Sequence, residues 1–362
     1  MVSPFVIKYD RTVIEARLEG DCAMSRMTRR VFVRTTSLAA GAATFGILTR
    51  RGDAAEFSWR YGNELVPTHS MNVHLQQAAE RIRSDSGGRM EVQIFPNNQL
   101  GGGTDMLSQL RTGVIQLLNL SGVILSNVVP VASINGIGFG FKEYDNVWTA
   151  MDGALGAHVR GAIEKAGLFA FEKMWDNGYR QITSGTHPIN TPDDLKGFKI
   201  RVPVSPLWTS MFRRLSATAM TINFSEVYNA LKTKLVDGQE NPLSLIDANK
   251  FYEVQKYVSL TNHMWDGFWT LANGRAWATL PGVLQDIVSS HINEAALAER
   301  GDIRKLNETL RDNLVQKGMV FNTTDPQKFR GALRSAGFYA EWKEKYGPDT
   351  WALFERQVGV LG

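Results

Sequence analysis

The stretch Asp194-Leu-Lys-Gly-Phe-Lys-Ile-Arg-Val-Pro203 carries the signals of a short helix, a stop and a strand. Thr191, just before it, is a good helix N-cap, and Gly197 is typical of the residue that ends a helix. Residues 198–202 then alternate between apolar and basic side chains, which predicts a strand. Pro203 ends the hydrogen-bond ladder of that strand because proline has no N–H to donate. A helix followed directly by a strand favours an α/β fold.

Arg201 lies at the C-terminal end of this predicted strand. In an open α/β sheet, that end faces the crevice where ligands bind. A guanidinium group there matches a carboxylate through two parallel hydrogen bonds. The alternative is a solvated arginine at a strand end, and this stretch alone does not decide between the two.

Signals of helices and strands recur on both sides of this stretch. The chain of 362 residues is also too long for one ordinary core, so we expect two lobes joined by crossing strands. Alternating strands and helices predict parallel sheets with helices on both faces. Thr104 and Ser225 are expected to cap two of the helices, and Gly301 is a point where the longest helix could break. We predict strands over 57–61, 90–95, 114–120 and 198–202, and helices over 69–86, 104–112, 205–216, 225–236 and 283–316.

The net charge of +4 comes entirely from the first 55 residues, which hold nine basic and five acidic side chains. The remaining residues hold 31 of each sign, so they give no support for binding nucleic acid. The only cysteine, Cys22, also lies in the first segment. The rest of the chain therefore has no disulfide, thiolate metal site or cysteine nucleophile.

Residues 27–55 have the pattern of a twin-arginine export signal, with Arg29 and Arg30 before an apolar stretch over 37–48. That stretch is too short to span a bilayer. Residues 1–26 fit no part of a signal, and we interpret them as an artefact of the assigned translation start. The alternative for the basic segment is an amphipathic surface helix. The mature protein is expected to be soluble and periplasmic.

Catalytic motifs are scarce in the chain, and its six histidines lack metal-ligand spacing. The candidate groups are instead suited to binding. Arg180 lies near another predicted strand, and Asn241 is held extended by the proline that follows it. Phe224 directly precedes a predicted helix, whose N-terminus attracts anions. Trp175 and Trp265 add aromatic surface, although packing in the core is the simpler interpretation of each.

Residues 56–362 resemble the periplasmic solute-binding proteins of tripartite ATP-independent periplasmic (TRAP) transporters, the DctP family. The resemblance covers most of the chain after the signal and rests on several motifs in matching order. These are Phe95-Pro-Asn-Asn-Gln-Leu-Gly101, Arg180-Gln-Ile-Thr-Ser184, the stretch ending in Arg201-Val-Pro203, Phe224-Ser-Glu-Val-Tyr228, Val236-Asp-Gly-Gln-Glu-Asn-Pro242 and Phe251-Tyr-Glu-Val-Gln-Lys256.

The resemblance implies an α/β, two-lobed periplasmic binding protein of type II-like fold, with a ligand cleft between the lobes and a long helix spanning both. We expect lobe I to comprise 56–178 plus 267–306 and lobe II to comprise 179–266 plus 307–362. It also implies a monomer that captures an organic acid and delivers it to the small and large membrane subunits of a TRAP permease. No enzymatic activity, cofactor or metal is expected.

The resemblance assigns roles to individual residues as well. It implies that Arg201 pairs with the ligand carboxylate, that Asn241 contacts the same group and that Arg180 contributes. It implies that Phe224 packs against the ligand and that the loop near Glu64 makes polar contacts with the ligand. In relatives that bind sialic acid, an acidic residue follows the third strand. Leu120 and Ser121 stand in that region here, which argues against a sialic acid ligand. Ser121 is itself a candidate contact for the ligand.

Two other functions and several ligands stay open at this stage. A periplasmic enzyme, or a sensory protein that presents a ligand to a membrane receptor, can share this fold. A monocarboxylate with an apolar or aromatic body suits the surroundings that include Trp265 and Trp269, and it is slightly favoured. A second arginine, Arg180, suits a dicarboxylate or a hydroxy acid instead.

Overall fold

A computed structural model describes residues 54–361, which fold into two six-stranded sheets covered by helices. Its strands are β1 (Phe57–Gly62), β2 (Met90–Phe95), β3 (Leu117–Ser121), β4 (Leu168–Ala170), β5 (Trp175–Tyr179), β6 (Gln181–Ser184), β7 (Lys199–Val202), β8 (Thr218–Thr221), β9 (Gly238–Asn241), β10 (Tyr257–Leu260), β11 (Trp265–Asn273) and β12 (Val320–Thr323). Its helices are α1 (Ser70–Asp85), α2 (Gly103–Thr112), α3 (Gly122–Leu125), α4 (Tyr144–Met151), α5 (Ala154–Lys165), α6 (Pro206–Arg214), α7 (Val227–Lys232), α8 (Leu243–Ala248), α9 (Gly274–Thr279), α10 (Gly282–Gln316), α11 (Pro326–Ser335), α12 (Phe338–Tyr346) and α13 (Pro348–Val358). Short 3₁₀ turns cover Pro130–Gly136, Pro192–Leu195, Phe224–Glu226 and Phe251–Glu253.

The first sheet has the order β2-β1-β3-β11-β4, and β5 also pairs with β11. Strands β1, β2 and β3 are parallel, as the sequence predicts. Strand β11 runs antiparallel to β3, β4 and β5. The reason is that β11 returns from a distant part of the chain instead of following a crossover helix. In the second sheet, β6 runs antiparallel to β9 and β10, so the expectation of purely parallel sheets is wrong for both lobes.

The second sheet has the order β12-β10-β6-β9-β7-β8. It contains β7, the strand predicted from residues 194–203. The short helix before β7 is a 3₁₀ turn, Pro192–Leu195, in which Thr191 and Asp194 form a capping box. Gly197 has a φ of +72°, a conformation that favours glycine. Strand β7 then pairs in parallel with β8 and β9, which places Arg201 at its C-terminal end.

Three connections join the two sheets. Arg180 alone separates β5 of the first sheet from β6 of the second, and a short loop leads back from β10 to β11. The third connection is α10, a helix of 35 residues that leads to β12. This arrangement confirms the predicted α/β class with two lobes. The residue limits of each lobe stay a prediction, since α12 packs against α6 while α13 packs against α4 and α5.

Helix α10 is continuous through Gly301, so the break considered there is absent. Its first half contributes Leu284, Val288 and Ile292 to the hydrophobic core that covers β1 and β2. Near its other end, Leu314 packs in a separate core beside α7 and β10. One rigid helix therefore contacts the cores of both sheets.

Two predicted helix starts differ from the structure. The helix expected over 225–236 is a 3₁₀ turn followed by α7, and Asn223 rather than Ser225 precedes the turn as its N-cap. Helix α7 ends before Lys234, whose φ of +57° is left-handed, and the exposed Leu235 lies beyond that end. Helix α2 begins after Gly102 instead of Thr104, because the Asp105 side chain accepts a hydrogen bond from the Gly102 N–H.

Residues 1–53 and 362 lie outside the described part of the chain. The predictions of a start-site artefact over 1–26 and of most of the export signal over 27–55 therefore go untested, as does the environment of Cys22. Within residues 54–361, no helix has the length and apolar character needed to cross a membrane.

Candidate ligand site

A cavity lies between the two sheets, near the point where Arg180 leads from one sheet to the other. It is small, with a free volume of about 30 Å³, which is room for one or two water molecules. Most of its polar lining belongs to strands or to the loops that directly follow them. The lining comprises Glu64, Leu65, Ser121, Ile124, Asn177, Arg180, Arg201, Pro203, Trp208, Phe224, Asn241, Leu245, Asp266 and Phe268.

Arg201 is almost fully buried, with 2% of its surface exposed. Its Nε donates to the carbonyl oxygen of Ile222 at 2.8 Å, while its buried Nη1 has no partner among the described residues. The guanidinium carbon lies 5.9 Å from the centre of the Phe224 ring. Burial, with the nearby positive charge of Arg180, lowers the pKa of Arg201 to about 10. Arg201 is thus still charged at neutral pH and has a free donor.

Arg180 is also buried, but its guanidinium is paired. Its Nε and Nη2 contact the two carboxylate oxygens of Glu240 at 2.5 and 2.8 Å, and Nη2 also donates to the Glu240 carbonyl at 2.6 Å. Its Nη1 donates to Asp266 at 3.1 Å. The guanidinium stacks 4.3 Å from the ring centre of Trp208. Burial raises the pKa of Glu240, but the charge of Arg180 outweighs it, so the net shift is downward.

Asp266, near the start of β11, contacts side chains from β3, from β5 and from the link between β5 and β6. Besides the contact with Arg180, its carboxylate accepts a hydrogen bond from Ser121 at 2.6 Å and one from the amide of Asn177 at 2.9 Å. Burial raises the pKa of Asp266, and the Arg180 charge opposes that rise. The Oδ1 atom of Asn177 is buried without a partner in the described chain. Asn177 therefore has an unused hydrogen-bond acceptor.

Glu64 faces the cavity from the loop after β1. Its Oε1 accepts the N–H of Gly103 at the start of α2, at 3.0 Å. A Cβ at Gly103 would lie 3.0 Å from the Glu64 carboxylate, so glycine allows this close approach. Burial raises the pKa of Glu64, and the charge of Arg201 partly offsets the rise. Asn241, at the end of β9, lies across the cavity, and its amide donates to Gln239.

The family model described as DctP, bacterial extracellular solute-binding protein, family 7, matches residues 61–344 of this chain. The chain belongs to the DctP family. Proteins of this family work outside the cytoplasm, and the matched segment contains all the cavity-lining residues identified above.

Individual relatives agree with this assignment. The chain is 28% identical over 277 residues to the 2,3-diketo-L-gulonate-binding periplasmic protein of Escherichia coli, covering 76% of this chain and 84% of the relative. A TRAP periplasmic solute-binding protein of Roseobacter denitrificans, solved with bound L-galactonate, is 30% identical; the match covers 83% and 99% of the two chains with a TM-score of 0.78. A similar protein of Sulfurospirillum deleyianum, solved with bound succinate, is 26% identical over 84% and 99%, also with a TM-score of 0.78.

In this DctP-family protein, six of the eight residues predicted for the site line one cavity. Trp175 and Trp265 do not. Both indoles are fully buried, and their Nε1 atoms donate to Thr270 at 2.8 Å and to Asp176 at 2.9 Å. Trp269 is fully buried and is not part of the lining either. The aromatic surroundings inferred from the sequence therefore belong to the hydrophobic core.

Several residues of the site were not singled out from the sequence. Asp266 and Glu240 are the carboxylates that hold Arg180, and Asn177 and Trp208 complete the lining. Asp266 directly follows Trp265, and Glu240 directly precedes Asn241, so both lie within segments that the sequence had marked. Asp266 is an acidic residue in a largely apolar strand, a signal that could have identified it, whereas Glu240 is in a polar strand and carries no such signal. In residues 54–361, no group of three or more His, Cys, Asp or Glu side chains is arranged to hold a metal ion.

Proposed function

We propose that this protein captures an organic acid between its two lobes, with Arg201 as the anchor for the carboxylate. The observation that carries the proposal is the buried Nη1 of Arg201, which has no partner among residues 54–361 although it lines the cavity. A buried guanidinium donor is costly when it has no acceptor. A carboxylate supplies the missing acceptor and the opposite charge together.

The surroundings of Arg201 support a role in binding rather than in packing. Glu240 and Glu64 are the carboxylates whose charges act on Arg201. Glu240 already accepts a hydrogen bond from Arg180, and Glu64 already accepts one from the Gly103 N–H. The cavity is also too small for an organic acid in this arrangement of the lobes. We therefore infer that the lobes separate to admit the ligand and close on it.

Substitution of Arg201 by lysine tests the anchor directly. Lysine keeps the charge but lacks the planar fork, so we expect Arg201→Lys to weaken binding by about tenfold or more. Exposed Arg213, on nearby α6, provides the matched control, and Arg213→Lys should bind as the wild type does. A thermal-shift screen against organic acids identifies the ligand, and calorimetry on each variant then gives its affinity.

The result is informative only if the variant is folded, so the melting temperature of each unliganded protein is measured first. Unchanged affinity in a folded Arg201→Lys protein, confirmed with Arg201→Gln, removes Arg201 from the site. If no organic acid raises the melting temperature of the wild type, the proposal as a whole fails.

We further propose that the captured acid is delivered to the small and large membrane subunits of a TRAP permease. The family and the periplasmic relatives support this role. We also propose that residues 27–55 direct export by the twin-arginine route and that the protein is a monomer. We propose that lobe I comprises 56–178 plus 267–306 and that lobe II comprises 179–266 plus 307–362. Uptake of the acid by vesicles that contain the permease should require this protein, and the Arg201→Lys variant should reduce that uptake.

A further inference from the structure

We infer that the ligand is a monocarboxylate with hydroxyl groups on its carbon chain, and not a dicarboxylate or an apolar acid. This inference rests on the proposed function, since it assumes that Arg201 holds the carboxylate. It goes further by assigning cavity residues to the part of the ligand that lies beyond the carboxylate. Asn177 and Glu64 are assigned as acceptors for ligand hydroxyl groups.

Among residues 54–361, the cavity offers no unpaired cation for a second carboxylate. Every nitrogen of the Arg180 guanidinium already donates to Glu240 or Asp266, and one face of the group is covered by Trp208. The buried groups at and behind the cavity comprise two guanidiniums and three carboxyls: Arg180, Arg201, Glu64, Asp266 and Glu240. A dicarboxylate would add a fourth and a fifth carboxyl to this set. Repulsion between like charges at such short range disfavours its binding.

On the side of the first sheet, the free polar atoms of the cavity are acceptors, whereas Trp208, on α6, has an Nε1 donor with no partner in the described chain. The Asn177 amide nitrogen is used by Asp266, so the oxygen Oδ1 is the atom left without a partner. The Oε1 atom of Glu64 accepts the Gly103 N–H, and the described chain provides no donor to its Oε2. A ligand that does not donate to these two atoms leaves acceptors unsatisfied in the closed site, which lowers its affinity. An apolar acid is therefore a poor fit.

Hydroxyl groups suit these acceptors better than an ammonium group. Asn177 belongs to β5 and Glu64 to the loop after β1, so the acceptors lie on separate elements. Each hydroxyl needs one acceptor for its single O–H, whereas an ammonium needs three acceptors around one nitrogen. Hydroxyls on different carbons match the arrangement.

The apolar part of the lining agrees with a short carbon chain. Leu65, Ile124 and Phe268 line the cavity from the first lobe, and Pro203, Phe224 and Leu245 line it from the second. These side chains can cover the C–H edges of a hydroxy acid while the acceptors take its hydroxyls. The earlier preference for an aromatic body depended on Trp265 and Trp269, which lie in the core.

Four acids with four carbons each separate the possibilities by calorimetry: erythronate, succinate, butanoate and threonine. We expect erythronate to bind about tenfold or more tightly than the other three. Galactonate, which has a longer hydroxylated chain, tests whether the size of the acid matters. Tighter binding of succinate, butanoate or threonine would overturn the inference.

Two variants link the preference to the assigned atoms. Glu64→Gln and Asn177→Ala should weaken erythronate more than butanoate, whereas Arg201→Lys should weaken both. Exposed Glu80, on α1, gives the control Glu80→Gln, which should change neither. Equal losses for erythronate and butanoate in Glu64→Gln and Asn177→Ala would remove the acceptors from the site. If none of the acids binds at all, the proposed function fails and not only this inference.

Discussion

At the residue scale, the most constrained group is the ion pair between Arg180 and Glu240. Both side chains are almost completely buried, and His263 also contacts the Glu240 carboxylate at 3.0 Å. Removing one partner of such a pair leaves an uncompensated charge in the interior. Arg180 therefore holds the junction of the two sheets together and is not free to bind a second ligand group.

Loss of the Glu240 charge should be costly. We expect Glu240→Gln to reduce the free energy of unfolding by about 3–5 kcal/mol, because Arg180 would lose its main counter-charge. Glu341 forms more exposed salt bridges with Arg214 and Lys345, so Glu341→Gln should cost about 1 kcal/mol or less. Urea denaturation measures both values. Similar losses in the two variants would show that the buried pair contributes no more than a surface pair.

The buried carboxyl group of Asp176 should make the free energy of unfolding depend on pH. Burial raises its pKa from 3.8 to about 7, opposed by hydrogen bonds from Trp265 and Tyr144 and by the charges of Arg300 and Arg304. Between these values the native state holds a proton that the unfolded state has lost, so ionisation of Asp176 destabilises the fold as pH rises. Glu299, whose pKa is also raised by burial, acts in the same direction.

The Asp176→Asn variant should remove this group's contribution. Relative to the wild type, its free energy of unfolding should increase as pH rises from about 4 to about 7, by on the order of 3 kcal/mol. Exposed Asp286, on α10, is the control, and Asp286→Asn should follow the wild-type profile. Melting temperatures across this pH range test the effect, and a constant difference between Asp176→Asn and the wild type would contradict it.

At the element scale, two glycines with open space around them should respond oppositely to alanine. Nothing lies within 4 Å of a Cβ at Gly301 or at Gly197. Gly301 is inside α10, so Gly301→Ala should stabilise the protein by about 0.5–1 kcal/mol. Gly197 has a φ of +72°, so Gly197→Ala should destabilise it by about 1 kcal/mol. Thermal unfolding measures both, and stabilisation by Gly197→Ala would be evidence against the left-handed turn before β7.

The sequence predicts elements best where the signals are local. Strand β2 has the predicted bounds, and Arg201 is found at the end of its strand because Gly197 and Pro203 delimit it. The partners of Arg180 could not be predicted in this way, since Glu240 and Asp266 approach it only when β9 and β11 are in place.

The burial of Trp265, which was expected in the site, also could not be predicted from local sequence. All nine residues of β11 are buried, so the strand has no polar face to indicate which side chains point toward a ligand. Trp265 packs edge-to-face against Trp148, which is far away in the sequence. A tertiary contact of this kind leaves no local pattern.

At the scale of the whole molecule, the lobes share structural elements and should unfold together. Helix α10 packs in the cores of both lobes, and β11 enters the first sheet directly from the second. We expect a single calorimetric transition with equal van't Hoff and calorimetric enthalpies. Two separate transitions would show that the lobes are independent.

A substitution near one end of α10 extends this test. Leu314 is fully buried beside α7, and Leu314→Ala should reduce the free energy of unfolding by about 2–5 kcal/mol and shift the whole transition. Leu297 is on the same helix but 47% exposed, so Leu297→Ala should have little effect. A shoulder that affects only part of the unfolding signal in Leu314→Ala would contradict the shared unfolding.

The position of β11 in the first sheet also has a consequence for synthesis on the ribosome. Strands β1 to β5 emerge first, but β11 pairs with β3, β4 and β5 and begins only at Trp265. Until Asn273 has been made, the edge of β3 that pairs with β11 has no partner strand, and its backbone N–H and C=O groups are unpaired. A chaperone that binds unpaired strands should therefore associate with chains stalled before Trp265 and be released from chains that extend past Asn273.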